Sequence, residues 1–250
     1  MPEIHHWSAG RLDKLPRRNG FRQRGMDMTR LEAFTDAAFA FAVTLLVIGG
    51  GDSVPSNYEE MVTAMKQVPA FAASFANIMW FWYAHHIWSR RFGLDDTKSA
   101  VLSLVLIFVV LVYVYPLKAV YSGAIDWFSR GYFDSYFPIR SVADLRDLFS
   151  IFGSGYAALS LLIVLLNRHA LGMSRSLMLD EIEKFDTRTE MQFWLISTVV
   201  ASISLVLAIL LPDELITLAG LFYCVFGIAY PWHGVRRDRQ RDALRQQRPH

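Results

Sequence analysis

The chain has 250 residues, of which 53% are hydrophobic and 19% charged, with a formal net charge of +2. A soluble domain of this length carries about a quarter charged residues, and here the apolar residues gather into long blocks between charged links, so the pattern is that of a polytopic membrane protein. A lone cysteine, Cys224, excludes an intrachain disulfide.

Residues 1–29 hold Arg11, Lys14, Arg17, Arg18, Arg22 and Arg24 among Gly10, Pro16, Gly20 and Gly25. They lack the apolar core and cleavage site of a signal peptide. The composition reads as a basic mobile tail on an anionic leaflet, or equally as a plain unstructured extension.

The first apolar block, residues 30–48, begins at Arg30, embeds Asp36 and stops at Gly49-Gly50-Gly51. A hydrocarbon core of about 30 Å needs roughly 20 helical residues, so this block is long enough to span. A carboxylate there is costly without a partner. One reading of Asp36 is proton or ion handling. The other is a hydrogen-bonded brace that accepts from a His, Trp or Arg of neighbouring helices.

The helix shows two faces. Phe34, Ala38, Phe41, Leu45 and Ile48 form a bulky stripe at helical spacing, and Ala33, Ala37, Ala40 and Thr44 form a small-residue stripe beside it. Lipid or core packing is the ordinary explanation of the bulky stripe, and a hydrophobic pore constriction the sharper alternative. Spacing alone does not choose between them.

After a turn-rich exit at 49–56, residues 58–66 are amphipathic. The second span is expected over 68–88, rich in the aromatics of a membrane interface: Trp80, Trp82, Tyr83 and Trp88. His85 and His86 lie near its end, where Asp36 is their expected partner, with pH sensing the alternative. Adjacent helical residues point about 100° apart, so the pair does not chelate one ion. The third span is expected over 99–115, ended by Pro116. An aromatic, partly helical loop follows over 117–147. The fourth span is expected over 148–166, and the fifth over 191–211 with a helical extension from 177. The sixth runs over 215–230, ended by Pro231, and a basic tail occupies 232–250.

Six spans put both termini on one side. Counting Arg30 at the mouth of the first span with the N-terminal tail, twenty of the 25 Lys and Arg residues then fall in the two tails and the links after spans two and four; only Lys66, Lys118, Arg130, Arg140 and Arg146 fall opposite. The positive-inside rule makes the tails cytoplasmic. The three parts are an N-terminal tail (1–29), one six-span unit (30–231) and a C-terminal tail (232–250). No phosphate-cradling loop, Ser/His/Asp order, paired metal ligands or Thr-Val-Gly-Tyr-Gly filter occurs. No cofactor, metal or nucleic-acid partner is expected.

The run Arg30-x-x-x-Phe34-Thr35-Asp36 resembles the first-helix signature of the transmembrane protein 175 family of potassium channels, in its prokaryotic branch. The similarity continues through Ala40-x-x-x-Thr44-Leu45-Leu46-Val47 and Trp82-Tyr83-Ala84-His85-His86. The resemblance implies an all-α homotetrameric channel without a P-loop filter, multi-pass in a prokaryotic plasma membrane, that conducts K⁺ passively. It implies a pore lined by the first helix, with Phe41, Leu45 and Ile48 as successive constrictions and Thr44 linked to selectivity. Arg30, Phe34, Thr35, Asp36 and His85 or His86 would be the bracing network. Thr35 stands in place of the family's Ser, and Phe41 where an aliphatic residue is usual. The residues by themselves leave two alternatives: a weakly selective cation or proton pathway, and a small membrane enzyme using Asp36, His85 and His86. No enzyme activity is expected.

Overall fold

A computed structural model describes residues 7–48, 55–133 and 135–246. The glycine run expected to end the first span and Arg248 of the C-terminal tail lie outside the described residues. A short helix α1 (Ala9–Leu12) and a hairpin of β1 (Arg17–Arg18) and β2 (Phe21–Arg22) precede α2 (Arg30–Ile48), α3 (Tyr58–Lys66), α4 (Val68–Phe92), α5 (Thr97–Ser129), α6 (Val142–Gly172), α7 (Glu181–Leu210), α8 (Thr217–Leu221) and α9 (Phe226–Gln246). The packing is helix on helix. α6 lies along α7, α5 bridges α6 to α2, and α4 fills the angle between α2 and α5.

Local sequence explains most of the boundaries. Thr29 caps α2 by accepting from the Glu32 amide at 3.1 Å, and Asn57 caps α3 through the Glu60 amide. α6 and α7 each open on a full capping box, Ser141 with Asp144 and Asp180 with Glu183. Gly93 ends α4 in the left-handed region, at φ 57°.

Five helical stretches are long and apolar enough to cross a membrane: 30–48, 97–129, 142–172, 181–210 and 213–244. α4 has the length, but three tryptophans, a tyrosine, two histidines and two arginines dilute its Phe, Ala and Ile. Two expected stops are corrected. α5 runs through Pro116 to Ser129, and α9 runs through Pro231 to Gln246. A proline in a spanning helix is tolerated where neighbours restore its surroundings; Tyr113, Val114, Leu117 and Ala119 around Pro116 are all buried. The sixth stretch is instead broken earlier, by 3₁₀ turns at Asp213–Leu215 and Phe222–Val225.

The expected mobile tail is also corrected. Asn19 (φ 52°) and Gly20 (φ 85°) make a two-residue turn, pairing Arg17 with Arg22 and Arg18 with Phe21. Both positive φ values are those of a type I′ turn, whose twist suits a hairpin. Phe21 is buried edge-on against Phe92 at 5.6 Å, and Arg22 and Arg24 bind Asp180 and Glu183 of the α7 start. Residues 17–25 are part of the folded body.

The α4–α5 link carries a titratable joint. Asp96 caps α5 by accepting from the Lys98 amide at 3.1 Å and the Ser99 hydroxyl at 2.6 Å, while His169 Nε2 near the end of α6 lies 2.9 Å from its Oδ2. Burial raises the Asp96 pKa, but the hydrogen bonds from Ser99 and His169 and the charge of His169 outweigh it and hold the carboxyl below its usual range. A depressed carboxyl contributes stability above its ordinary pKa and loses it as pH falls through the folded value. Asp96→Asn keeps the cap and removes the charge. It is expected to lower stability by about 0.5–1 kcal/mol at neutral pH, because the site is one-third exposed. In thermal unfolding, the gap between variant and wild type should close below about pH 4.

Candidate functional site

α2 divides cleanly by exposure. Phe39, Ala42 and Leu46 are at most 1% exposed, packed toward α4 and α5. The opposite face presents Phe34, Phe41 and Ile48 at 55%, 54% and 67% exposure. These three are seven residues apart and share one line along a helix. Ala33, Ala37, Ala40 and Thr44 lie on the same open side. The Thr44 hydroxyl donates to the Ala40 carbonyl at 3.1 Å, so it lies back on its own helix. Leu45 is half-buried at the edge of this face. Of the expected constriction residues, Phe41 and Ile48 therefore sit together and Leu45 stands beside them.

The polar end of α2 is held by α4. Asp36 accepts from the Trp82 indole N–H at 2.8 Å. Trp82 stacks on His86, with ring centroids 5.3 Å apart and planes 21° apart. One turn below, the buried Glu32 places Oε1 3.8 Å from His86 Nδ1 and 3.7 Å from Arg90 Nε. These separations exceed hydrogen-bond length, so Glu32 is compensated by charge and not by a direct bond. Thr35 is buried and donates to the Leu31 carbonyl at 2.8 Å.

The expected histidine–Asp36 pairing is corrected: neither His85 nor His86 hydrogen-bonds Asp36. His85 is turned away toward α5, where Nε2 meets the Ser103 hydroxyl at 2.9 Å. The cause is the angular step. Positions 82 and 86 share the face of α4 that meets α2, while 85 points about 100° away from 86. Arg30 and Phe34 lie exposed on α2, outside this network in the protomer. Glu32 and Arg90 belong to it, and Ser103 to the separate His85 contact; none of the three stands out in the sequence. Glu32 lies in the first turn of α2, where an acidic residue suits the helix N-terminus by itself, so nothing local in the sequence points to its contact with α4. No group of three His, Cys, Asp or Glu side chains converges among the described residues.

Residues 30–116, which contain α2, its brace and most of α5, match the family model described as the endosomal/lysosomal potassium channel TMEM175. A protein of Marivirga tractuosa named "Potassium channel" is 34% identical over 199 residues, covering 77% of this chain and 79% of that protein. The fold is similar to the crystal structure of a variant of the potassium channel MtTMEM175 bound to a nanobody–MBP fusion, with TM-score 0.77 and 30% identity. That match covers 90% of this chain and 100% of the other. The long apolar helices accord with a multi-pass membrane protein. With this identity over more than three-quarters of both chains, the protein belongs to the TMEM175 family of potassium channels.

Proposed function

We propose that this chain forms a K⁺-permeable channel in which four copies surround a pore lined by α2. The observation that carries the reading is the open apolar line of Phe34, Phe41 and Ile48. A face this apolar in a chain of this family needs either lipid or other subunits to cover it, and the stripe of Ala33, Ala37, Ala40 and Thr44 beside it permits close helix approach. Phe41, Leu45 and Ile48 are the constriction, and Thr44 contributes to selectivity. Each protomer crosses the membrane six times, α4 included, with the termini in the prokaryotic cytoplasm where the basic links gather.

The brace supports conduction through a stiff α2 and takes no ion itself. Asp36 is committed to Trp82, and Glu32 faces two basic groups. A carboxylate with partners costs far less at this depth than one facing a dry pore. Cations shed part of their water at the apolar rings above.

The test is K⁺ efflux from liposomes holding the purified full chain, with the oligomer mass measured in parallel. Efflux above protein-free liposomes from a tetramer is expected. A dimer, or a tetramer that passes no K⁺ under any imposed voltage, rejects the reading.

A further inference from the structure

A cleft beside the brace has, apart from Ile87, a lining of hydrogen-bond donors. It opens between the hairpin tip and the last turns of α4. Arg18, Arg90 and Arg91 supply its cations and His86 a ring nitrogen; the Tyr83 hydroxyl and the Asn19 and Gln23 amides complete its polar surface. No Asp or Glu lines it, and every polar side chain there can donate. The cleft on the other side of the hairpin is the contrast. It shares Arg18 and Arg91 with the first, but there Asp186, Glu190 and Asp238 stand among its four arginines.

The donors are placed but not used up. Arg90 Nη1 donates to the carbonyls of Gly25 and Met26 at 2.9 and 3.1 Å, which fixes its direction. Arg91 is held 4.9 Å over the Phe21 ring and 3.6 Å from Glu190. Arg18 is exposed and makes no ion pair among the described residues. His86 Nδ1 is buried without a hydrogen-bond partner. Three guanidinium groups around one opening suit a tetrahedral oxyanion, since the planar fork meets two phosphate oxygens at once. The Asn19-Gly20 turn fixes where Arg18 stands relative to α4.

We propose that this cleft binds a phosphate group, taken from a phospholipid headgroup or from free phosphate, with Arg18, Arg90 and Arg91 as its ligands. Occupancy would draw Arg90 and His86 toward the anion and away from Glu32, loosening the hold of α4 on α2. That consequence rests on the pore reading; the binding does not.

Native mass spectrometry of the full chain in neutral detergent tests it, with phosphatidic acid and inorganic phosphate as probes. Wild type retains phosphatidic acid. Arg18→Gln weakens retention about tenfold, the scale of one lost charge-assisted contact, and Arg18→Lys recovers part of it. Arg236→Gln, whose guanidinium lies 5.6 Å over Trp232 outside the cleft, binds as wild type does. Competition by inorganic phosphate supports the site with free phosphate as a ligand; absence of competition supports it with the headgroup as the ligand. Retention of neither probe overturns the site. So does an Arg18→Gln protein with wild-type affinity, or equal weakening by Arg236→Gln, either of which reduces binding to general surface charge. K⁺ efflux is measured separately, so failure of the pore reading leaves this result standing.

Discussion

Replacing Arg24 by Met is expected to cost about 3 kcal/mol of stability, the low end for breaking a buried ion pair by removing one partner. The side chains of Arg24 and Glu183 are both 0% exposed. Two parallel bonds join them, Nη2 to Oε2 at 2.7 Å and Nη1 to Oε1 at 3.1 Å, and Arg24 Nε also donates to the Leu177 carbonyl at 2.9 Å. Methionine fills much of the volume but leaves a buried carboxylate short of its main counter-charge. The loss is held to the low end by Arg22, whose amide donates to Glu183 Oε1 at 2.9 Å and whose guanidinium binds Asp180 at 3.0 Å. Denaturant unfolding in detergent measures the cost. Adding Glu183→Gln to Arg24→Met should recover about 1 kcal/mol or more, because the orphaned charge is then gone. A single variant within about 0.5 kcal/mol of wild type, the range of ordinary surface substitutions, would show that the hairpin is not anchored there.

That anchor also shows where the sequence could be read and where it could not. Asn19-Gly20 is a strong hairpin signal when alternating apolar residues flank it, but its flanks are Arg17, Arg18, Phe21 and Arg22. With one apolar residue in four, the stretch looks like a solvated tail until Phe92, Asp180 and Glu183 are brought to it from about 70 and 160 residues away. The need of Asp36 for a brace was legible, because an isolated carboxylate in an apolar helix has few affordable states. Its partner was not, since Trp82, His85 and His86 differ only in the rotational setting of α4, which tertiary packing decides. Local rules end helices at proline; around Pro116 buried neighbours relax that rule, whereas Pro231 is exposed and nothing in the protomer's packing explains why α9 continues through it. The open face of α2 was legible only as two adjacent stripes, and the boundary between them shifted once α4 and α5 had taken the other side.

That face carries the second large effect. Phe41→Ala is expected to raise K⁺ efflux about tenfold, equivalent to about 1.4 kcal/mol off the barrier to conduction. Phe41 stands midway along the open line between Phe34 and Ile48, and rings from four copies would meet at one level of the pore. An apolar constriction gates by excluding water, so if Phe41 forms the constriction proposed above, removing the ring would widen its narrowest level and let hydrated cations through. Because Phe41 is exposed in the protomer, the same change should cost little intrinsic stability. Phe39→Ala is the paired control, two residues away and 1% exposed on the opposite face. It removes a core ring and is expected to cost about 3–5 kcal/mol without raising efflux per folded channel. Efflux normalised to folded protein, measured with unfolding midpoints for both variants, separates the two roles. If Phe41→Ala passes no more K⁺ than wild type while Phe39→Ala passes more, the conducting surface lies on the other side of α2. Truncating Phe39 also separates a pore effect from simple loosening of the bundle. Loosening would raise leakage most in the less stable variant, whereas a constriction responds to the residue that faces the ion.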